Sequence, residues 1–290
     1  MAMNRRKIYP TWPEGKPKVF TMSYDDGNDC DIRLVELMRK HHVKGTFNIN
    51  SGVCPLEPMP YDAPKKWRRL TMKECIDLYG DDMEIAVHGM VHPTWDRMPT
   101  PNAMQDILDD RRELERATGR IIRGAAFPNG TYNDDVVDIL RLAGIAYCRN
   151  IINTQKLRAI PTDFLRLQPT TRNRDPKVVE ITRKFVDEQE PSGRLWMLYI
   201  WGHSYEFVRD DSWHVIEEVL DIVGDREDIW YATNIEMVDY MQAYQALQYN
   251  IDQTLVHNPT ATDVWIRITW GAANAQIVQV PAGATLSLPE

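Results

Sequence analysis

Short apolar runs and helical patterns alternate about seven times along this 290-residue chain, and that alternation limits the folds open to it. Strand-like runs lie at 19–24, 45–49, 83–87, 122–127, 145–149, 195–201 and 229–232. Between most of them sit helical patterns. Residues 32–42 carry apolar side chains at Ile32, Val35, Leu37 and Met38; 102–118 ends at Gly119; 133–143 opens on a capping Asn and ends at Gly144. Residues 176–188, 211–223 and 234–247 continue the series. A chain patterned in this way is expected to form a parallel α/β barrel or a doubly wound sheet.

In such folds the functional groups gather at the C-terminal ends of the strands. Asp25 and Asp26 follow the first predicted strand, His88 and His92 the third, and Asn129 and Gly130 the fourth; Arg149 ends the fifth and His203 follows the sixth. All of these residues therefore fall on one rim. The run His88-Gly89-Met90-Val91-His92-Pro93 brings two imidazoles, and Ser23-Tyr24-Asp25-Asp26-Gly27 brings adjacent carboxylates. Two histidines and one carboxylate are three protein ligands, the number a catalytic zinc site keeps so that a further position stays open. One aspartate of the doublet can ligate while its neighbour stays free as a base. Alone, Asp-Asp-Gly is an ordinary turn and His-x-x-x-His an ordinary helical spacing; their joint placement past strands is what points to a site. His203, in Trp201-Gly202-His203-Ser204-Tyr205-Glu206 beyond a strongly apolar strand, is the candidate general acid. A divalent metal ion is therefore the expected cofactor, zinc first, with cobalt, nickel or iron as alternatives. Cys30, Cys54, Cys75 and Cys148 have no zinc-ribbon or redox spacing and are expected as free thiols.

The formal net charge of −8 and pI near 5.4 argue against a nucleic-acid or anionic-membrane partner, which would need a basic surface. No stretch is apolar for long enough to span a bilayer, and the N-terminal run lacks a signal-peptide core. A cytoplasmic setting is expected, in keeping with unpaired cysteines. The sequence leaves self-association into a homo-oligomer open. Texture changes near the end, where Val264, Ile266 and Ile268 alternate with Trp265, Arg267 and Thr269. The expected division is a barrel over 1–248 and a small β-rich appendage over 249–290.

Ser23-Tyr24-Asp25-Asp26-Gly27, His88-Gly89-Met90-Val91-His92, Phe127-Pro128-Asn129-Gly130 and the late His203 resemble the motif series of the polysaccharide deacetylases, carbohydrate esterase family 4. The resemblance runs from about Lys18 to Tyr244. It implies a distorted (β/α)7 barrel and metal-dependent removal of an acyl group from an N-acylated carbohydrate. By motif position it implies Asp25 as base, Asp26, His88 and His92 as metal ligands, and His203 as acid, with a backbone N–H near Asn129 helping to hold the oxyanion. The chain departs from the pattern mildly at Ser23 and Tyr24, where Thr and Phe are usual, and more at three further positions. Gly89 stands where a Ser or Thr is usual, Ala126 where an Arg orients the base, and Asn129 where an aromatic is usual. Arg149, ending the next strand, is the expected replacement for the missing arginine, with Arg123 set farther back.

Asn129, Gly130, Trp95 and Tyr205 are the expected substrate contacts, the two aromatics offering flat faces to a sugar ring. The sequence does not say which of Asp163, Asp175, Glu206 and Glu236 faces His203. Two other readings compete with the sugar deacetylase: a hydrolase of another linear or cyclic amide, and a catalytically impaired carbohydrate-binding protein, motivated by Ala126. A non-haem iron oxygenase would also use two histidines and a carboxylate, but its usual many-stranded β setting conflicts with the alternating helices.

Overall fold

The computed structural model describes residues 6–60, 66–158, 160–188, 194–270 and 274–289. The described residues form fourteen strands and eight α-helices in the following order. β1 (Arg6–Pro10) precedes β2 (Lys18–Asp25), α1 (Cys30–Lys40), β3 (Thr46–Ile49), α2 (Met72–Tyr79), β4 (Glu84–Val87) and α3 (Thr100–Thr118). Then come β5 (Gly124–Ala126), α4 (Asp134–Leu142), β6 (Tyr147–Arg149), β7 (Thr171–Arg172), α5 (Val178–Asp187) and β8 (Trp196–Gly202). α6 (Tyr205–Arg209), α7 (Trp213–Val223), β9 (Ile229–Tyr231) and α8 (Asn234–Gln245) complete the alternating part. β10 (Gln248–Tyr249), β11 (Leu255–His257), β12 (Val264–Trp270), β13 (Asn274–Val280) and β14 (Thr285–Ser287) follow.

The central sheet is parallel throughout, in the order β6-β5-β4-β3-β2-β8-β7, with β9 lying alongside β2. It curls toward itself: Leu167 bridges to Arg149 at the β6 end, while Thr171 and Arg172, a few residues on, pair with β8 at the other. The barrel-like α/β fold expected from the alternation is the fold observed. β7 is a strand of two residues, too short to leave a periodic signal. α2 also escaped the apolar pattern, although it opens with a capping box, Thr71 accepting from Glu74 N–H while the Glu74 carboxylate reaches back to Thr71 N–H.

β2 is buried on both faces, as a central parallel strand must be. Its alternate residues Phe20, Met22 and Tyr24 join Leu34, Val35 and Met38 of α1 in the outer core. The other set turns into the curl and, beyond Val19, is polar. Thr21 donates to Asn234 Oδ1 at 2.9 Å, Ser23 accepts from Asn48 Nδ2 at 2.8 Å, and Asp25 ends the row. β3 repeats the pattern, with Phe47 and Ile49 outward and Thr46 and Asn48 inward. Hydrogen bonds offset the cost of burying these groups, and through Asn48 Nδ2 they lead upward to Asp25.

Two three-stranded sheets complete the structure, β1-β12-β13 and β10-β11-β14, around Val256, Ile266, Ile268, Val280 and Leu288. β1 thus lies in a sheet with the C-terminal strands, a pairing the sequence did not suggest. Tyr240 of α8 ties this region to the barrel, its hydroxyl donating to Thr11 O at 2.7 Å and accepting from Trp265 N–H at 3.0 Å.

At the opposite end of β4 from the rim, the Glu84 carboxyl accepts from Tyr147 Oη at 2.7 Å, Thr46 Oγ1 at 2.8 Å and Ile235 N–H at 2.9 Å. Burial outweighs these donors and pushes its pKa up to about 7. The folded state therefore holds this proton more tightly than the unfolded chain, and the stability it contributes is complete below the unfolded pKa of about 4.3 and lost as pH rises through about 7. A Glu84→Gln variant should lack that part of the decline. Thermal unfolding of both proteins across this range checks it, and parallel curves would count against the assignment.

Candidate active site

β2 and β4 flank β3 in the sheet, and their following turns bring the acidic and histidine motifs together. Ligand atoms of Asp26, His88 and His92 lie within 4.8 Å of one another. The His88 and His92 rings meet edge to face with centroids 4.8 Å apart. His88 is buried, and its Nδ1 faces Ala126 O at 2.9 Å, which fixes the neutral tautomer with Nε2 unprotonated. That Nε2 has no hydrogen-bond partner, nor does the buried Asp26 Oδ1. Burial lowers the pKa of His88 despite the nearby Asp25 and Asp26, so its lone pair is available. Orphaned acceptors of the types that bind borderline divalent ions, converging on one point, fit a metal ion.

Asp25 sits beside this cluster, 3% exposed. Its Oδ1 accepts from Asn48 Nδ2 at 2.8 Å and from the Arg149 guanidinium. Its Oδ2 faces His88 Nε2 and His203 Nε2, each at 3.9 Å. Burial alone would raise the Asp25 pKa, but the charge and hydrogen bond of Arg149, with the charge of His203, outweigh it and hold the carboxyl well below its usual range. Arg149 is itself fully buried, its guanidinium 4.7 Å from the Trp201 ring. Arg123 points elsewhere, its Nη1 on Asp239 Oδ1 at 3.0 Å.

His203 closes the site from β8. Its Nε2 is 3.9 Å from Asp26 Oδ2 as well, and its Nδ1 is 3.6 Å from Glu206 Oε1. Burial opposes protonation, but Glu206, Asp25 and Asp26 together raise the pKa, so the imidazolium is favoured and can donate. Glu206 is 1% exposed and is held by the Arg172 guanidinium. Asp163, Asp175 and Glu236 are engaged elsewhere, with Arg166, Gln155 and Lys44 respectively. Ser204, next to His203, donates to Asn28 Oδ1 at 2.9 Å and Asp31 Oδ1 at 2.5 Å, tying the His203 loop to the turn that carries Asp25 and Asp26.

The expected substrate contacts fare differently. Tyr205 is half-buried, 5.1 Å from the His203 ring, and stacks on Trp67 at 4.6 Å. Asn129 is exposed in a left-handed conformation (φ 59°), its Nδ2 on Thr94 Oγ1 at 2.9 Å. Trp95 is a correction: at 1% exposure, with Nε1 on Asp106 Oδ2 at 2.8 Å, it offers no face to a ligand and instead braces the histidine loop. Gly130 is corrected in the same sense. It is buried, its N–H is used by Phe127 O at 2.9 Å, and a Cβ there would meet Ile151 at 2.4 Å.

Gly89 stands at φ 75°, where a Cβ would meet Pro93 Cδ at 2.6 Å and Asp106 Oδ2 at 2.9 Å. A hydroxyl-bearing residue has no room there, and Asp110 supports the loop instead, accepting from His88 N–H at 3.0 Å and Ser51 N–H at 2.9 Å. Asp110, Asn48, Asn50 and Arg69 are site residues that sequence reasoning missed. The two asparagines left a signal, polar residues at the inward positions toward the end of a strand whose outward positions are Phe47 and Ile49.

Residues 13–148 match the polysaccharide deacetylase family. Over 138 residues the chain is 21% identical to the uncharacterized protein YlxY of Bacillus subtilis, an alignment covering 48% of this chain and 39% of that protein. The chain thus spans well under half the length of this curated relative. Among solved structures, it superimposes on a protein from Mycobacterium smegmatis described as a candidate polysaccharide deacetylase, with a TM-score of 0.57 and 15% identity over 82% of this chain and 94% of that one. A family 4 acetyl xylan esterase from Clostridium thermocellum, in complex with a cobalt ion, matches with a TM-score of 0.50 and 14% identity over 76% and 90% of the two chains. At these identities the likeness is one of fold.

Proposed function

We propose, from the match of residues 13–148 to the polysaccharide deacetylase family, that this chain is a metal-dependent hydrolase removing the acetyl group from an N-acetylated sugar, oligosaccharide or polysaccharide. The observation that carries the reading is the convergence of Asp26, His88 and His92, flanked by Asp25 on Arg149 and by His203 on Glu206. A divalent cation held by Asp26, His88 and His92, zinc in this reading, would polarise the acyl carbonyl and acidify water. Cobalt, nickel and iron fit the same donors.

The remaining chemistry belongs to the chain. Asp25, ionised and fixed by Arg149 and Asn48, takes the proton of the attacking water. His203, protonated and oriented by Glu206, gives a proton to the leaving nitrogen as the carbon–nitrogen bond breaks, so that acetate and a free amine result. The Asn129 turn lies beside the histidine loop, where a backbone amide can stabilise the developing oxyanion. The stacked pair of Trp67 and Tyr205 beside His203 offers an aromatic wall for a sugar ring. Ala126 motivated the alternative of an impaired binding protein; the Arg149 guanidinium on Asp25 argues against it. Among the described residues no helix is long and apolar enough to cross a membrane, and a cytoplasmic setting suits the four free thiols.

The roles separate in one variant. His203→Ala should lower kcat by about 10²–10⁴-fold while leaving metal stoichiometry unchanged. Acetate release from a panel of N-acetylated monosaccharides and oligosaccharides, alongside metal analysis, reads both. Loss of the metal would make His203 a ligand and remove the acid from the scheme. Turnover of linear or cyclic amides in place of every sugar would move the substrate class and keep the centre.

A further inference from the structure

We infer that Arg69 and Asn50 form a relay that sets the spacing of two metal ligands, Asp26 and His88, by gripping their backbones from behind. The inference rests on the metal reading above and adds two residues that no motif contains. Asp26 sits at φ 81°, a left-handed conformation that a non-glycine residue keeps only when its surroundings impose it. Arg69 supplies that constraint, with Nη1 donating to Asp26 O at 2.7 Å and Nη2 3.7 Å from Asp26 Oδ1. The same Nη1 donates to Asn50 Oδ1 at 3.3 Å. Asn50 is fully buried, and its Nδ2 donates to His88 O at 2.6 Å and Gly89 O at 3.0 Å. Each polar atom of this amide is thereby engaged, and the path from the Asp26 carbonyl to the His88 carbonyl is unbroken.

The chain delivers Arg69 to this place by strand geometry. Residues 68–70 run antiparallel to 27–29, with Asn28 bridged to Arg69, Leu70 N–H on Gly27 O at 3.0 Å and Asp29 N–H on Arg68 O at 3.0 Å. Neighbouring side chains of an extended segment point to opposite sides. Arg68 accordingly turns to Glu74, which it grips with two bonds of 2.9 and 2.6 Å, while Arg69 turns to the metal cluster. Two adjacent arginines that read alike in sequence thus have separate tasks. Arg69 and Asn50 touch no reacting atom and act only through the ligands they position.

The test is zinc titration of the metal-free protein by calorimetry with a competing chelator, for wild type, Arg69→Gln, Asn50→Ala, the double variant and Arg68→Gln. Thermal unfolding of the metal-free forms runs in parallel. Arg69→Gln and Asn50→Ala should each weaken zinc about 10–100-fold, the usual consequence of losing a group that orients a ligand. Because the relay acts as a unit, the double variant should bind little more weakly than the worse single variant, and Arg68→Gln should match wild type. Arg69 is 30% exposed, so replacing it opens no buried cavity, and its variant alone decides the matter if Asn50→Ala does not fold. Zinc binding by Arg69→Gln within twofold of wild type overturns the relay, as do losses in the two single variants that simply multiply in the double. Wild type that binds no divalent metal at all overturns the metal reading itself, a separate result.

Discussion

Replacing His88 by alanine is expected to abolish stoichiometric metal binding and, with it, acetate release. His88 is the buried member of the cluster, and its Nδ1 contact with Ala126 O presents Nε2 to the point where Asp26 and His92 converge. Without it, two ligands remain, fewer than the three that a catalytic zinc site takes from the protein. The fold should persist, because the side chain contributes one hydrogen bond to a rim loop that Asp110 and Asn50 hold through backbone atoms. Metal analysis by mass spectrometry, with circular dichroism as the folding control, is the check. A folded His88→Ala protein with wild-type metal content would remove the triad from the account.

Asp25→Asn should have the second largest effect and a different signature: turnover reduced about 10²–10⁴-fold with metal retained. The amide is nearly isosteric but cannot accept a proton, and it leaves the buried Arg149 charge without its counter-ion. An uncompensated buried charge destabilises by about 3–5 kcal/mol, so thermal unfolding should show a lower midpoint alongside the lost activity. A variant that kept full activity would show that Asp25 is not the base. One that lost its metal would place Asp25 among the ligands.

The fold and the rim were legible in the sequence because both rest on periodicity. Each strand that carries a site residue has an apolar run, and each motif falls just past one of these runs, so Asp25, Asp26, His88, His92 and His203 could be placed on one rim before their distances were known. Arg149 could be read as the cation for Asp25 because it ends the strand after the one that should have supplied it. What the sequence hid depends on contacts between distant segments. Arg69 and Arg68 look identical as neighbours, and only the antiparallel pairing with residues 27–29 gives them opposite sides. Trp95 reads as a rim aromatic from its position, yet its ring is fully packed beneath the loop. Glu206 could not be chosen over three other acids until the helix after His203 turned its carboxylate back toward the imidazole.

The most direct test of the account is acetate release from N-acetylated sugars and oligosaccharides by the purified protein, measured as isolated, after chelation, and after zinc, cobalt, nickel or iron is restored. The expected result is close to one metal per chain, activity lost on chelation and regained with metal. Acetate release that survives complete removal of the metal would contradict the account at its centre.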